Sequence, residues 1–103
     1  MSLLRRLFGE PAPTPPLLLR VRARSGAIPE QVALEIVWSS GRRDRREVFA
    51  AQGLCIVPWR VGEPAVEVGM RALGGRAEVR VSAEENVHGA VREVRLSDEL
   101  AAE

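Results

Sequence analysis

Val66-Glu67-Val68-Gly69-Met70-Arg71-Ala72-Leu73-Gly74-Gly75-Arg76-Ala77-Glu78-Val79-Arg80-Val81-Ser82-Ala83 reads as two strands joined by a turn. Val66, Val68, Met70 and Ala72 alternate with Glu67, Gly69 and Arg71, and a period of two puts each set on its own face of a strand. Leu73-Gly74-Gly75-Arg76 breaks the alternation where a tight hairpin needs positive φ, which glycine supplies readily. The alternation then resumes, with Ala77, Val79, Val81 and Ala83 predicted inside and Glu78, Arg80 and Ser82 outside.

The same period extends in both directions. Leu19-Arg20-Val21-Arg22-Ala23-Arg24 alternates apolar and basic residues, and Val32, Leu34, Ile36 and Trp38 share one face between Pro29 and the Ser39-Ser40-Gly41 turn. Glu47–Ala50 reads as a short strand, and Gln52-Gly53 turns the chain into Leu54-Cys55-Ile56-Val57-Pro58-Trp59. That last segment is apolar on both faces, which predicts a central strand closed by Pro58, since proline cannot donate to a ladder. Val91 and Val94 have opposite parity within Val91–Leu96, so a bulge or a change of face is expected there. Seven short strands at roughly ten-residue spacing predict an all-β, seven-stranded antiparallel sandwich, immunoglobulin-like or transthyretin-like, with a short N-terminal helix or tail.

Three segments resemble the carboxypeptidase-regulatory-like domains of the transthyretin-like superfamily: Ser25–Val32, Gln52-Gly-Leu-Cys-Ile-Val-Pro58 and Val66-Glu-Val-Gly-Met-Arg-Ala72. The resemblance covers Val21 to about Ala83 and departs from the family at Gln52, where an acidic residue is usual, and at Cys55, where an aromatic is. It implies a non-enzymatic sandwich. A purine-breakdown hydrolase shares that fold but ends in Tyr-Arg-Gly-Ser, whereas this chain has no tyrosine and ends Leu-Ala-Ala-Glu, so the activity is not implied.

The domain is expected over residues 17–97, after an N-terminal peptide and proline-rich spacer (1–16) and before a tail (98–103). Four prolines between Pro11 and Pro16 favour extended polyproline geometry. Ahead of them, Leu3, Leu4, Leu7 and Phe8 fall on one face of a two-turn helix with Arg5 and Arg6 opposite. This peptide is a candidate partner-binding segment, suited to a groove on another protein or to weak contact with a membrane surface. Its other reading is a terminus with no docking role.

At 103 residues, 46% hydrophobic and 28% charged, the chain fits one globular domain. A net charge of +1 provides no general attraction for nucleic acid. Gly41-Arg42-Arg43-Asp44-Arg45-Arg46 reads as a polar loop, and Arg42, Arg43, Arg45 and Arg46 form a second candidate site, suited to phosphate or carboxylate groups. A soluble hairpin tip explains the same residues. Cys55 is the sole cysteine, which excludes an intrachain disulfide and argues for a reducing, cytoplasmic location.

Candidates for chemistry are few. His88 is the sole histidine, Cys55 lies in an apolar strand where a thiol packs inertly, and Glu84, Glu85 and His88 lack the helical spacing that would mark a metal site. Gly74-Gly75 sits between strands, where a phosphate loop would lead from a strand into a helix. Trp38 is expected in the core, while for Trp59 core and exposed platform both stand. No catalytic residue, metal, cofactor or small-molecule ligand is therefore expected. A non-enzymatic protein-interaction or structural module is the leading function. Its rivals are an accessory or regulatory subunit of an enzyme and a polyanion or nucleic-acid binder using residues 41–46.

Overall fold

A computed structural model of the protein describes residues 14–86 and 89–98. These form β1 (Leu17–Arg22), β2 (Gln31–Trp38), β3 (Arg43–Phe49), β4 (Leu54–Val57), β5 (Ala65–Ala72), β6 (Gly75–Ser82), β7 (Val91–Arg95) and the two-residue β8 (Ser97–Asp98). They make two sheets, of order β4-β1-β7 and β3-β2-β5-β6-β8. The predicted N-terminal helix, with Leu3, Leu4, Leu7 and Phe8, lies outside the described residues, as do His88 and the last five residues of the predicted tail.

Strand alternation builds the core. Leu17, Leu19 and Val21 of β1 with Cys55, Val57 and Val94 from its neighbours meet Val32, Leu34, Ile36, Trp38, Val66, Val68, Met70 and Val81 of the larger sheet in one apolar cluster. The β5–β6 hairpin pairs Val66 with Val81 and Ala72 with Gly75. Its turn residues are Leu73 (φ 50°) and Gly74 (φ 73°), the two positive-φ positions of a type I′ turn. Leucine is an uncommon occupant of such a position, because its Cβ crowds the carbonyl.

The structure corrects four expectations. First, the sheets are not purely antiparallel: β7 runs parallel to β1, with Leu18 opposite Val91 and Val21 opposite Val94. That pairing is unbroken, so the parity change in β7 needs no bulge: Val91 faces outward, and Val94 and Leu96 face the core. Second, β4 is an edge strand, and its second apolar face is exposed. Ile56, Leu18 and Val91 form one row across the outside of the small sheet, in which Ile56 and Val91 are exposed.

Third, the arginine run is not a loop. Only Gly41 and Arg42 lie in the connection, and Arg43–Phe49 is the edge strand β3, paired with β2 from Arg43↔Val37 to Phe49↔Gln31. Fourth, of the four residues predicted inside on and after β6 only Val81 is fully buried, while Ala77, Val79 and Ala83 are half-buried. β6 lies near the edge of the wider sheet, where the three-stranded sheet covers it incompletely.

Candidate functional site

Among the described residues, the outer face of the five-stranded sheet carries a patterned polar surface. Cross-strand register sets its side chains in rows. One row runs Arg45, Glu35, Gly69, Glu78 from β3 to β6, and the next runs Glu47, Ala33, Arg71, Arg76. Because Ala33 and Gly69 are small and sit on the two central strands, the middle of the face is low. The flanking arginines and glutamates rise around it and enclose a trough of about 600 Å³. A second hollow of about 370 Å³ adjoins it across Val37 and Glu67, and the two share Glu35, Gly69 and Glu78. Phe49 stands at the end of β3 on the same outward parity, and its side chain is 86% exposed.

The four arginines singled out in the sequence separate in space. Arg42 ion-pairs with Asp44 at 3.7 Å, and Arg43 reaches Glu35 at 3.9 Å across the outer face. Arg45 and Arg46 both border the trough, although they point to opposite sides of β3. These are exposed pairs of mixed sign, each of which contributes little to stability. What they provide is a patterned surface, with guanidinium forks for carboxylates beside carboxylates that accept N–H groups.

A second polar cluster lies at the end where β2 turns into β3. Glu63 is 7% exposed, and its carboxylate accepts hydrogen bonds from the Ser40 hydroxyl (2.5 Å), the Ser40 N–H (3.1 Å) and the Ser39 hydroxyl (3.2 Å). Arg60 lies 3.7 Å away. The Glu63 carbonyl accepts from the Trp59 indole at 2.9 Å, and Trp59 meets Trp38 edge to face at a centroid distance of 5.6 Å. Trp38 is buried as expected, and its indole reaches Asp44 at 3.3 Å. The half-buried Trp59 packs against the core. The cluster ties the β2–β3 turn to the β4–β5 connection, one of the crossings between the two sheets.

The Ser40 hydroxyl above all, helped by the Ser40 N–H, Ser39 and Arg60 and opposed by burial, holds the Glu63 carboxyl below its ordinary value. A lowered folded-state pKa means that the stabilisation is fully present above the unfolded-state value and is lost as pH falls through the folded-state value. Thermal melts between pH 7 and pH 3 are therefore expected to show an acid-side loss that Glu63→Gln reduces. An identical acid limb in the two proteins would show that Glu63 is not the group responsible.

Cys55 is buried beside Leu19, and burial pushes its thiol up, away from the reactive thiolate. Among the described residues no group of three or more His, Cys, Asp or Glu side chains is placed to hold a metal, and no helix is long and apolar enough to cross a membrane. The Cys55–His88 and Glu84–Glu85–His88 combinations depend on a histidine outside those residues.

No protein-family model, curated protein or solved structure matches the chain. The trough, with Gly69 and Phe49, was not singled out in the sequence. Its signals were the gap that Gly69 leaves in the outward series Glu67, Gly69, Arg71 and the parity of Phe49 with Arg43, Arg45 and Glu47, which becomes readable once 43–49 is treated as one strand.

Proposed function

We propose that the protein is a non-enzymatic interaction module that receives a segment of a protein partner in the trough across its five-stranded sheet. The observation that carries this reading is Gly69. It lies on a central strand, its φ is not positive, and a Cβ placed there would meet nothing closer than 3.8 Å. Neither backbone conformation nor space calls for glycine, and glycine in a strand interior weakens the strand. Its effect is to keep the floor of the trough open, so local stability is given up where a surface is kept clear.

The mixed lining favours a protein over a polyanion, since Glu35, Glu47 and Glu78 stand among the arginines. An enzyme to which this domain is accessory is one kind of partner within this reading. The N-terminal peptide would act as a tether joined to the domain at Pro15, whose carbonyl accepts a hydrogen bond from Asn86 at 2.8 Å. A cytoplasmic location is part of the proposal, supported by a single, buried cysteine.

The same proposal takes the fold as an immunoglobulin-like sandwich. Support comes from strand order: β3-β2-β5-β6 follows the C′-C-F-G order of such domains, and β1 beside β4 follows B beside E. β7 would take the place of the first strand, reached from the C-terminal side and therefore parallel to its neighbour. The transthyretin-like resemblance remains the alternative for the same strands.

Gly69→Thr tests the function. A β-branched residue on a central strand is expected to raise stability by about 1 kcal/mol, and the added side chain fills the trough. The expected result is a higher melting temperature together with loss of partners that co-purify with the wild type. A variant that is stabilised and keeps the same partners would remove the trough from the function.

A further inference from the structure

We propose that two copies of the chain associate edge to edge through β6, antiparallel about a twofold axis at Val79, to make one sheet continuous across the pair. The inference starts from an asymmetry between the two edges of the five-stranded sheet. At one edge, β3 presents Arg43-Asp44-Arg45-Arg46-Glu47, with Asp44 and Arg46 on the inward parity. Unbroken charge, some of it inward-pointing, is how sheet edges are protected from pairing with another chain. At the other edge, β8 pairs only with Gly75 and Arg76, Glu85 and Asn86 fold back onto the backbone groups of Ser82, and among the described residues nothing pairs with the outer side of Ala77–Val81 between them.

This open segment has no inward charge, only Ala77, Val79 and Val81. Half-buried Val79 leaves part of an apolar side chain uncovered at the margin of the core. Within the five-stranded sheet, one protected edge and one open edge direct association to a closed pair, where two open edges would continue into a filament.

Backbone direction fixes which groups are available. Ala72 and Gly75 close a two-residue turn, so odd-numbered residues from Gly75 onward direct their N–H and C=O groups to β5. The Ala83 N–H accordingly donates to the Pro64 carbonyl at 2.9 Å, and the Arg76 carbonyl faces the opposite side, where it accepts from the Ser97 hydroxyl at 3.1 Å. Glu78 and Arg80 therefore present their backbone groups at the open edge.

Side-chain charge then selects the register. With Val79 opposite the partner's Val79, Glu78 faces the partner's Arg80 and Arg80 faces the partner's Glu78, while Ala77 meets the partner's Val81. The two residues with free edge groups form the hydrogen-bonded pairs, and each brings opposite charges together on the outer face. A twofold centred on Glu78 would oppose two glutamates, and one centred on Arg80 would oppose two arginines. The Val79 register pairs Ala77–Val81 of the two chains, and beyond them the two-residue β8 at Arg76 and the turn at Ser82 must shift aside where the ends of the partner's β6 arrive.

Five residues per chain make a small interface, so the association is weak and reversible. Light scattering or sedimentation equilibrium over a concentration series should show the 11.3 kDa chain passing to about twice that mass. Glu78→Arg and Arg80→Glu should each stay monomeric at the highest concentration, because each opposes like charges twice. Mixing the two variants should restore the dimer, and so should combining both changes in one chain. Both positions are exposed, so Glu78→Arg should keep the wild-type melting temperature at low concentration, while Arg80→Glu, which replaces the Arg80–Glu67 pair at 4.0 Å by two opposed glutamates, should melt slightly lower and stay folded. Gly69→Thr should dimerise like the wild type, which separates this surface from the trough. A wild type that stays at 11.3 kDa at millimolar concentration, single variants that still dimerise, or a mixture that fails to restore the dimer would each overturn the proposal.

Discussion

Ile36→Ala is expected to lower the unfolding free energy by about 2–5 kcal/mol, while Val79→Ala should lower it by about 1 kcal/mol or less at monomeric concentration. Ile36 is 2% exposed, faces Val68 across the β2–β5 ladder and lies in the middle of the apolar cluster between the sheets. Truncating it removes three carbons from a place that neighbouring strands, held on both sides by hydrogen bonds, cannot close. Val79 belongs to the same alternation, but its half-buried position near the sheet edge leaves room for water or a shifted neighbour to fill the space. Domains of this size have roughly 5–15 kcal/mol of stability in all, so the first change takes a large share of it. Urea unfolding of the two variants measures both. Equal losses would mean that Val79 is as enclosed as Ile36 and that the smaller sheet reaches further over β6 than the structure places it.

The same contrast shows how far the sequence could be read. Period two in Val32–Trp38 and Val66–Ala72 located the central strands and their buried faces, because both sides of those strands are fixed by local alternation. Position within a sheet is set by pairing partners far away in the chain, and alternation carries no information about it. Leu54–Val57 therefore looked central when it is an edge strand with Ile56 facing out. The arginines of β3 show the reverse case. Four basic residues and an aspartate suggested a loop, but an edge strand with one solvated face tolerates charge at every position when its backbone is held by β2. Parallel pairing of β7 with β1 joins strands about 70 residues apart in the sequence, which no local pattern encodes. The trough was hidden for the same reason: Ala33 and Gly69 lie 36 positions apart in sequence and become neighbours through the β2–β5 register.

Gly53→Ala is expected to be among the most damaging single-methyl changes in the chain. Gln52 (φ 53°) and Gly53 (φ 80°) are the two positive-φ residues of the tight turn that leads into β4, closed by the Leu54 N–H to Ala51 carbonyl bond at 3.0 Å. Any non-glycine residue in the left-handed region costs about 1–2 kcal/mol. Gly53 has a second constraint. Its carbonyl accepts the Val21 N–H at 2.8 Å, which brings the turn against the end of β1, and a Cβ there would stand 2.5 Å from the Val21 carbonyl oxygen and 3.2 Å from Ile28 Cγ2. Backbone cannot swing aside as a flexible side chain can, so the β1–β4 contact must open, with an overpacking loss of about 1–3 kcal/mol. Gly62→Ala separates the two contributions. Gly62 has nearly the same φ, 84°, but nothing within 4 Å of an added Cβ, so its alanine variant should lose only the conformational part. Denaturant melts should then place Gly53→Ala below Gly62→Ala by the overpacking loss. If the two variants lose the same stability, the close approach of the turn to Val21 is not a constraint on the fold.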